Sequence, residues 1–132
     1  MKKLVVFCLI MIASLSTFAQ NGAEWTLSSQ KSGVKFYVKY AICDQQSRVY
    51  IKVENTTGNE VTFSWKERFA MKDRAVDVNS GQEKSLTLVA NTNAEGICGE
   101  SQYLSLIVNP NDYVSMAGPG FWELELYDLI VQ

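Results

Sequence analysis

The side chains able to do chemistry form a short inventory. None of the 132 residues is a histidine, which excludes Ser-His-Asp and Cys-His catalysis and every imidazole-based metal site. The cysteines are Cys8, Cys43 and Cys98, and lone cysteines without histidine make a poor zinc site. Glu123 and Glu125 stand two apart. On a strand that spacing puts both on one face, where a glycosidase would need two carboxylates. Their alternation with Trp122, Leu124 and Leu126 makes them an ordinary solvated face. Asn109, Asn111 and Asp112 carry oxygens suited to calcium, but the segment lacks the repeated acidic ligands of a calcium loop. With Pro110 between them, these residues read as a turn. No Gly-rich loop that would cradle phosphate occurs. The expectation is a non-enzymatic protein with no catalytic residues, no metal and no cofactor.

Two further patterns point to surfaces instead of reactions. Asn55-Thr56-Thr57 has the form of a glycosylation sequon, but it falls where a hairpin must turn, and Asn55 is read as a turn residue. Lys66, Arg68, Lys72 and Arg74 form a basic cluster diluted by Glu67 and Asp73, as expected of a charged edge that discourages edge-to-edge pairing. Tyr37, Tyr50, Phe121 and Tyr127 fall at positions whose alternation points away from the main apolar face. Aromatic side chains on a sheet face bind sugars or protein partners, so these four are the candidate partner-binding residues.

The N-terminus says where such a surface would operate. Met1-Lys2-Lys3 is a short positive start, Leu4 to Ile12 is unbroken apolar chain, and Thr17-Phe18-Ala19 offers small residues before Gln20. This is the three-part layout of a secretory signal, bacterial in form, with cleavage expected after Ala19. The apolar run is too short to span a bilayer, which takes about 20 residues. Cys8 lies inside the apolar core of the signal and is discarded with it. The mature chain, Gln20 to Gln132, is one domain without a membrane span. Loss of Lys2 and Lys3 leaves 10 Lys plus Arg against 14 Asp plus Glu, a formal charge of −4, which gives no sign of a nucleic-acid partner. Cys43 and Cys98 survive together. An exported protein meets an oxidising periplasmic or extracellular compartment, so the two are expected to form a disulfide.

The elements that must position these residues are strands. Val34, Phe36, Val38, Tyr40 and Ile42 alternate with Lys35, Tyr37, Lys39 and Ala41, and the run enters Cys43. Val49, Ile51 and Val53 alternate likewise, then Asn55 to Asn59 supplies turn residues, then Val61, Phe63 and Trp65 resume the period. The pattern predicts a strand to about Phe69, a polar turn at residues 72–74 and a strand through Val76 and Val78. A short helix over 66–75 is the alternative. Further strands are predicted over 24–28, 85–88, 102–108 and 121–131, with turns at 109–112 and 118–120. About seven short strands separated by polar turns predict an antiparallel β-sandwich.

Val49-Tyr50-Ile51-Lys52-Val53-Glu54-Asn55-Thr56, Val61-Thr62-Phe63-Ser64-Trp65 and Val78-Asn79-Ser80-Gly81-Gln82 resemble immunoglobulin-like and fibronectin-III-like sandwich modules. In those an alternating strand ends in an Asn turn, its partner carries a large aromatic, and a V-x-x-G corner leads onward. The whole chain resembles short exported bacterial proteins of that architecture. The resemblance implies a fold and no activity. Cys98 sits in a Gly-flanked polar loop, unlike the mid-strand cysteine of antibody domains, so the bridge is expected to tie a strand end to the loop 91–100. These features imply an exported interaction module that binds protein or glycan through a sheet face or loops. The alternative is a secreted inhibitor or protective factor presenting the loop 91–100. A carboxylate-based hydrolase ranks last.

Overall fold

The computed structural model describes residues 24–71, 76–114 and 122–132. The segment 1–19 expected to be a signal, the turns expected at 72–74 and 118–120, and Phe121 lie outside the described residues. Eight strands follow in chain order: β1 (Thr26–Lys31), β2 (Val34–Cys43), β3 (Gln46–Asn55), β4 (Val61–Met71), β5 (Val76–Leu88), β6 (Asn93–Glu95), β7 (Ile107–Val108) and β8 (Glu123–Val131). A single 3-10 turn, Leu104–Leu106, precedes β7, and a one-turn helix, α1 (Asn111–Val114), follows it. The strands make two antiparallel sheets. One is five-stranded, in the order β1-β2-β3-β6 with β7 also on β3; the other runs β5-β4-β8. This is an all-β sandwich and not a barrel. Antibody-type domains put their third strand in the opposite sheet from their first two, whereas here β1, β2 and β3 are consecutive neighbours.

Tight left-handed turns fix the hairpin registers. Ser32 and Gly33 link β1 to β2 with φ of 49° and 79°. The Gly33 carbonyl accepts hydrogen bonds from the Thr56 backbone N–H at 2.9 Å and the Thr56 hydroxyl at 2.7 Å. A Cβ on Gly33 would lie 2.5 Å from Thr57 Cγ2, so this close approach also requires glycine. Asp44 and Gln45 link β2 to β3 with φ of 50° and 63°. Two positive φ values match the twist of a two-residue hairpin loop. From Val34↔Asn55 to Cys43↔Gln46 every β2 residue then has a β3 partner.

The inward alternation of both sheets builds the core. Val34, Phe36 and Val38 of β2 and Val49, Ile51 and Val53 of β3 face Phe63, Trp65 and Phe69 of β4 and Leu124 and Leu126 of β8. Phe36, Phe63 and Trp65 form an aromatic trio with centroids 5.4–5.8 Å apart, the first two edge to face, worth about 1 kcal/mol per pair beyond area burial.

Residues 66–71 continue β4 as strand, in line with the expected strand to about Phe69 and against the helix alternative. Other expectations are corrected. The predicted corner at Val78 to Gln82 is not a corner: β5 runs through it as one strand, with a register shift between Arg68↔Asn79 and Lys66↔Glu83. Residues 102–108 are not a central strand. Tyr103 takes φ 58°, Leu104 to Leu106 make the 3-10 turn, and just Ile107 and Val108 pair with β3. Leu106 is buried in the core while Leu104 is 62% exposed, so the apolar run serves an edge closure.

Two buried polar residues bind the layers. Asn55, 2% exposed, ends β3. Its amide donates to the carbonyls of Asn59 at 2.8 Å and of Leu88 and Val89 at 3.1 Å. Its side-chain oxygen accepts from the Thr57 N–H at 2.9 Å and the Thr57 hydroxyl at 2.7 Å. Every polar valence of the side chain is used, which closes the sequon nitrogen to modification in the folded state. Glu67, 1% exposed, sits on the inward face of β4 between Trp65 and Phe69. It accepts from Trp65 Nε1 at 3.0 Å and the Tyr113 hydroxyl at 2.9 Å, and pairs with Lys84 Nζ at 2.9 Å. Lys84 also donates to the Ser105 carbonyl at 2.9 Å.

Asn55→Ala is expected to lower stability by about 3 kcal/mol, because several buried backbone groups lose their partner at once. Urea unfolding that returns a loss under about 1 kcal/mol would show the amide is not structural. Glu67→Ala is expected to cost about 3 kcal/mol by taking an acceptor from Trp65 Nε1 and the Tyr113 hydroxyl and the carboxylate from Lys84. Glu67→Gln, which still accepts from Trp65 and Tyr113, is expected to cost less than half as much by the same measurement.

Candidate functional site

The outer face of the five-stranded sheet is set by alternation. When Phe36 and Val38 point inward, Lys35, Tyr37, Lys39, Ala41 and Cys43 point outward, and on β3 Gln46, Arg48, Tyr50, Lys52 and Glu54 do the same. Antiparallel register sorts them into rows. Lys39 lies opposite Tyr50, and Tyr50 opposite Ile107. Leu27 lies opposite Tyr37, Tyr37 opposite Lys52, and Lys52 opposite Glu95. Aromatic and basic side chains thus alternate across neighbouring strands. Trp25, just before β1, completes the first row.

Side-chain geometry locks this array. Lys39 Nζ lies 4.4 Å from the Trp25 ring centroid and 5.6 Å from that of Tyr50. Lys52 Nζ lies 4.6 Å from the Tyr37 centroid and 5.2 Å from that of Trp25. Each cation–π contact at a half-exposed site is worth about 0.5–1 kcal/mol, enough to hold two long side chains in place. Lys52 is also 3.7 Å from a Glu54 oxygen. The Tyr37 hydroxyl donates to the other Glu54 oxygen at 3.1 Å. That hydroxyl titrates above its ordinary value, first through desolvation and then through the bond to the Glu54 carboxylate. Lys39 has no carboxylate partner among the described residues.

A covalently pinned strap crosses one end of the face. The Gly96 N–H donates to the Ile51 carbonyl at 3.1 Å, extending the β6 pairing by one bond. The chain then leaves the edge of β3, bonds Cys98 to Cys43 with Cα atoms 5.7 Å apart, and returns through the 3-10 turn to β7. A Cβ on Gly96 would lie 2.5 Å from the Leu106 carbonyl oxygen and 2.7 Å from Ile107 Cγ1, so the two feet of the strap touch. Tyr50 lies beneath it. Tyr50 lines a groove on either side, one of about 540 Å³ with Arg48, Cys98 and Leu104, the other of about 320 Å³ with Lys39, Glu95 and Ile97. Its side chain is 3% exposed and its hydroxyl is buried without a partner.

The four candidate aromatics therefore have different places. Tyr37 and Tyr50 share the outer face as diagonal neighbours, Tyr37 half-buried and Tyr50 covered. Tyr127 lies on the other sheet, opposite Lys66, with the Arg68 guanidinium 5.5 Å from its ring. Phe121 is outside the described residues. Trp25, Lys39 and Lys52 join the site without having been singled out. Their signal was positional: Trp25 and Leu27 carry the outward period of β1, and the lysines share the outward positions of the tyrosines.

The other candidates have structural partners. Glu125 is bound to Arg68 at 2.8 Å. Asn109 accepts from Arg48 Nη1 and from the Asn111 N–H, both at 3.2 Å, and its amide donates to Asp112 at 3.2 Å, which stabilises the turn. Ligand atoms of Cys43, Cys98 and Asp44 lie within 4.8 Å of one another, but the two sulfurs are bonded together and offer no thiolate to a metal. For the same reason the 3.8 Å approach of Cys43 Sγ to Asp44 is a contact and not a hydrogen bond. Among the described residues no helix is long and apolar enough to cross a membrane. Comparisons of the chain with protein-family models, curated proteins and solved structures find no match.

Replacing Cys43 and Cys98 by Ser together is expected to lower stability by about 4 kcal/mol, the entropy of closing a loop of this length. Hydrogen exchange should rise most at residues 97–103 and at Tyr50. Equal acceleration throughout the five-stranded sheet would show that the bridge does not act through the strap.

Proposed function

We propose that this protein is an exported, non-enzymatic interaction module that binds a protein or glycan through the outer face of its five-stranded sheet. One observation carries the proposal: Trp25, Tyr37 and Tyr50 hold the Lys39 and Lys52 ammonium groups in fixed positions on that face. Preorganised groups bind with less loss of side-chain entropy, about 0.5–1.5 kcal/mol for each side chain already immobilised. Export is supported by the three-part segment Met1 to Ala19. The disulfide is compatible with an oxidising compartment. The immunoglobulin-like resemblance extends to two stacked antiparallel sheets, while the consecutive β1-β2-β3 order departs from antibody-type domains. The inhibitor alternative asks for a stiff loop that projects into a cleft. Residues 96–101 instead lie across their own sheet, which favours the face.

The test compares retention of material from envelope extract by immobilised mature protein and two variants. Trp25→Ala with Lys39→Gln alters the proposed face, and Arg68→Ala with Tyr127→Ala alters the opposite sheet. Retention is expected to fall at least tenfold for the first variant and to persist for the second. Retention that survives the first and is lost with the second removes this face as the binding site. Loss on replacing Ile97 and Leu104 alone would transfer the role to the strap.

A further inference from the structure

The two broad faces of the sandwich differ in charge. Outward positions on β2, β3 and β6 carry the cations Lys35, Lys39, Arg48 and Lys52 and the carboxylates Glu54 and Glu95. On the opposite sheet, Lys66 and Arg68 face outward with the carboxylates Asp77, Glu83, Glu123 and Glu125. Among the described strand positions, cations thus outnumber carboxylates on the first side alone. That side is the one with rigidly held lysines.

Building on the binding role assigned to this face, we propose that its ligand is an acidic polysaccharide, one whose repeating sugars carry carboxylate or sulfate groups, laid across Trp25, Lys39 and Lys52 beside the strap. Three observations select this chemistry. First, ammonium groups lie over the Trp25 and Tyr37 rings. Lys39 and Lys52 lie 4.4 and 5.2 Å from the Trp25 centroid, and Lys52 lies 4.6 Å from that of Tyr37. A neutral sugar that stacks its C–H groups on a cation-bearing face would have to displace an ammonium group. An anion meets that ammonium directly. Second, Lys39 has no carboxylate partner among the described residues, and it borders the groove of about 320 Å³ with Tyr50, Glu95 and Ile97. Third, Glu54 and Glu95 flank the lysines. Carboxylates repel any polyanion, but they accept hydrogen bonds from sugar hydroxyls, which a chain of glutamate or aspartate does not offer. A polymer presenting both anionic groups and hydroxyls matches the alternation of cation and carboxylate. The exposed apolar side chains bordering this face are Leu27 at the sheet edge and Ile97 and Leu104 on the strap.

The probes are polygalacturonate, its fully methylated ester, dextran sulfate, neutral dextran and poly-L-glutamate, each titrated calorimetrically into the mature protein. Polygalacturonate or dextran sulfate is expected to bind at least tenfold tighter than its neutral counterpart, with affinity falling as salt screens the exposed charges. Lys39→Gln with Lys52→Gln is expected to weaken that binding at least tenfold. Lys66→Gln with Arg68→Gln should change it less than twofold. An unchanged thermal midpoint keeps the lysine variant interpretable, and Lys39→Gln alone replaces it if the pair melts early. Equal affinity for the methyl ester overturns the requirement for acid. Tighter binding of poly-L-glutamate than of either acidic polysaccharide overturns the sugar. If no probe binds while retention from envelope extract still depends on Trp25 and Lys39, the acidic polysaccharide falls and the binding face stands. If that retention is also insensitive to the face, both fall.

Discussion

The edge of β3 away from β2 must satisfy its backbone groups with two separate segments. β6 pairs with Lys52 to Glu54, and β7 pairs with Val49 and Tyr50. The intervening chain cannot lie in the sheet, because the Gly96 bond to Ile51 already brings the first segment to the start of the second. It must leave the edge and come back. Much of the rest follows from that detour. The outgoing half reaches the outer face and is fixed to β2 by Cys98. The returning half turns Leu106 into the open side of the core, with Tyr103 packed against it. Gly96 is the pivot, since no side chain fits between the feet.

The same detour reaches the second sheet through charge. Lys84 of β5 donates to the Ser105 carbonyl in the returning half and pairs with Glu67 inside the core. A buried carboxylate is costly to desolvate, and the pair is not in itself a source of large net stability. Its partners make it tolerable: Trp65, Tyr113 and Lys84 are among the groups that satisfy the carboxylate. The result is a geometric link from the strap through Lys84 to Trp65 in the aromatic trio. A well-packed apolar substitute would fill the volume but would not fix which strand positions meet. Asn55 does comparable work at the other end, tying β3 to the loop before β4 and to the end of β5.

Alternation made β2, β3, β4 and β8 legible, because each has one buried face and a period of two that a register error would invert. The cysteine pair was legible once the signal segment was set aside. Other features were not, for physical reasons. Residues 102–108 are apolar, and hydropathy reports a preference for burial without saying what geometry achieves it. Here a left-handed Tyr103 breaks the strand, and burial falls to Leu106 and Val108 instead of Leu104. Glu67 looked like part of a charged edge, although the period through Phe63, Trp65 and Phe69 places it inward; a carboxylate among core residues is rare unless paired, and its partners Tyr113 and Lys84 lie far along the chain. Tyr50 was correctly an outward residue. What covers it comes from a segment some fifty positions later, joined by the Cys43–Cys98 bridge whose separation is 55 residues, and no local pattern encodes such a cover.

The lysine array depends on β1, the most exposed strand of its sheet. β1 buries little of its own surface, so its place needs another account. Its ladder with β2 runs from Thr26↔Val38 to Lys31↔Val34 with one bulge, and Lys31 Nζ donates to the Leu129 carbonyl of β8 at 2.6 Å, bridging to the other sheet. The consequence is felt one residue before the strand begins. Trp25 is carried over β2 to the point where its ring meets both ammonium groups. Without that ring Lys39 would retain Tyr50 at 5.6 Å and Lys52 would retain Tyr37, but nothing would couple the two lysines. An edge strand normally needs charge or cover to prevent pairing with another chain. Here it also sets the spacing of the two cations, so the stability of β1 and the geometry of the proposed binding face are one property.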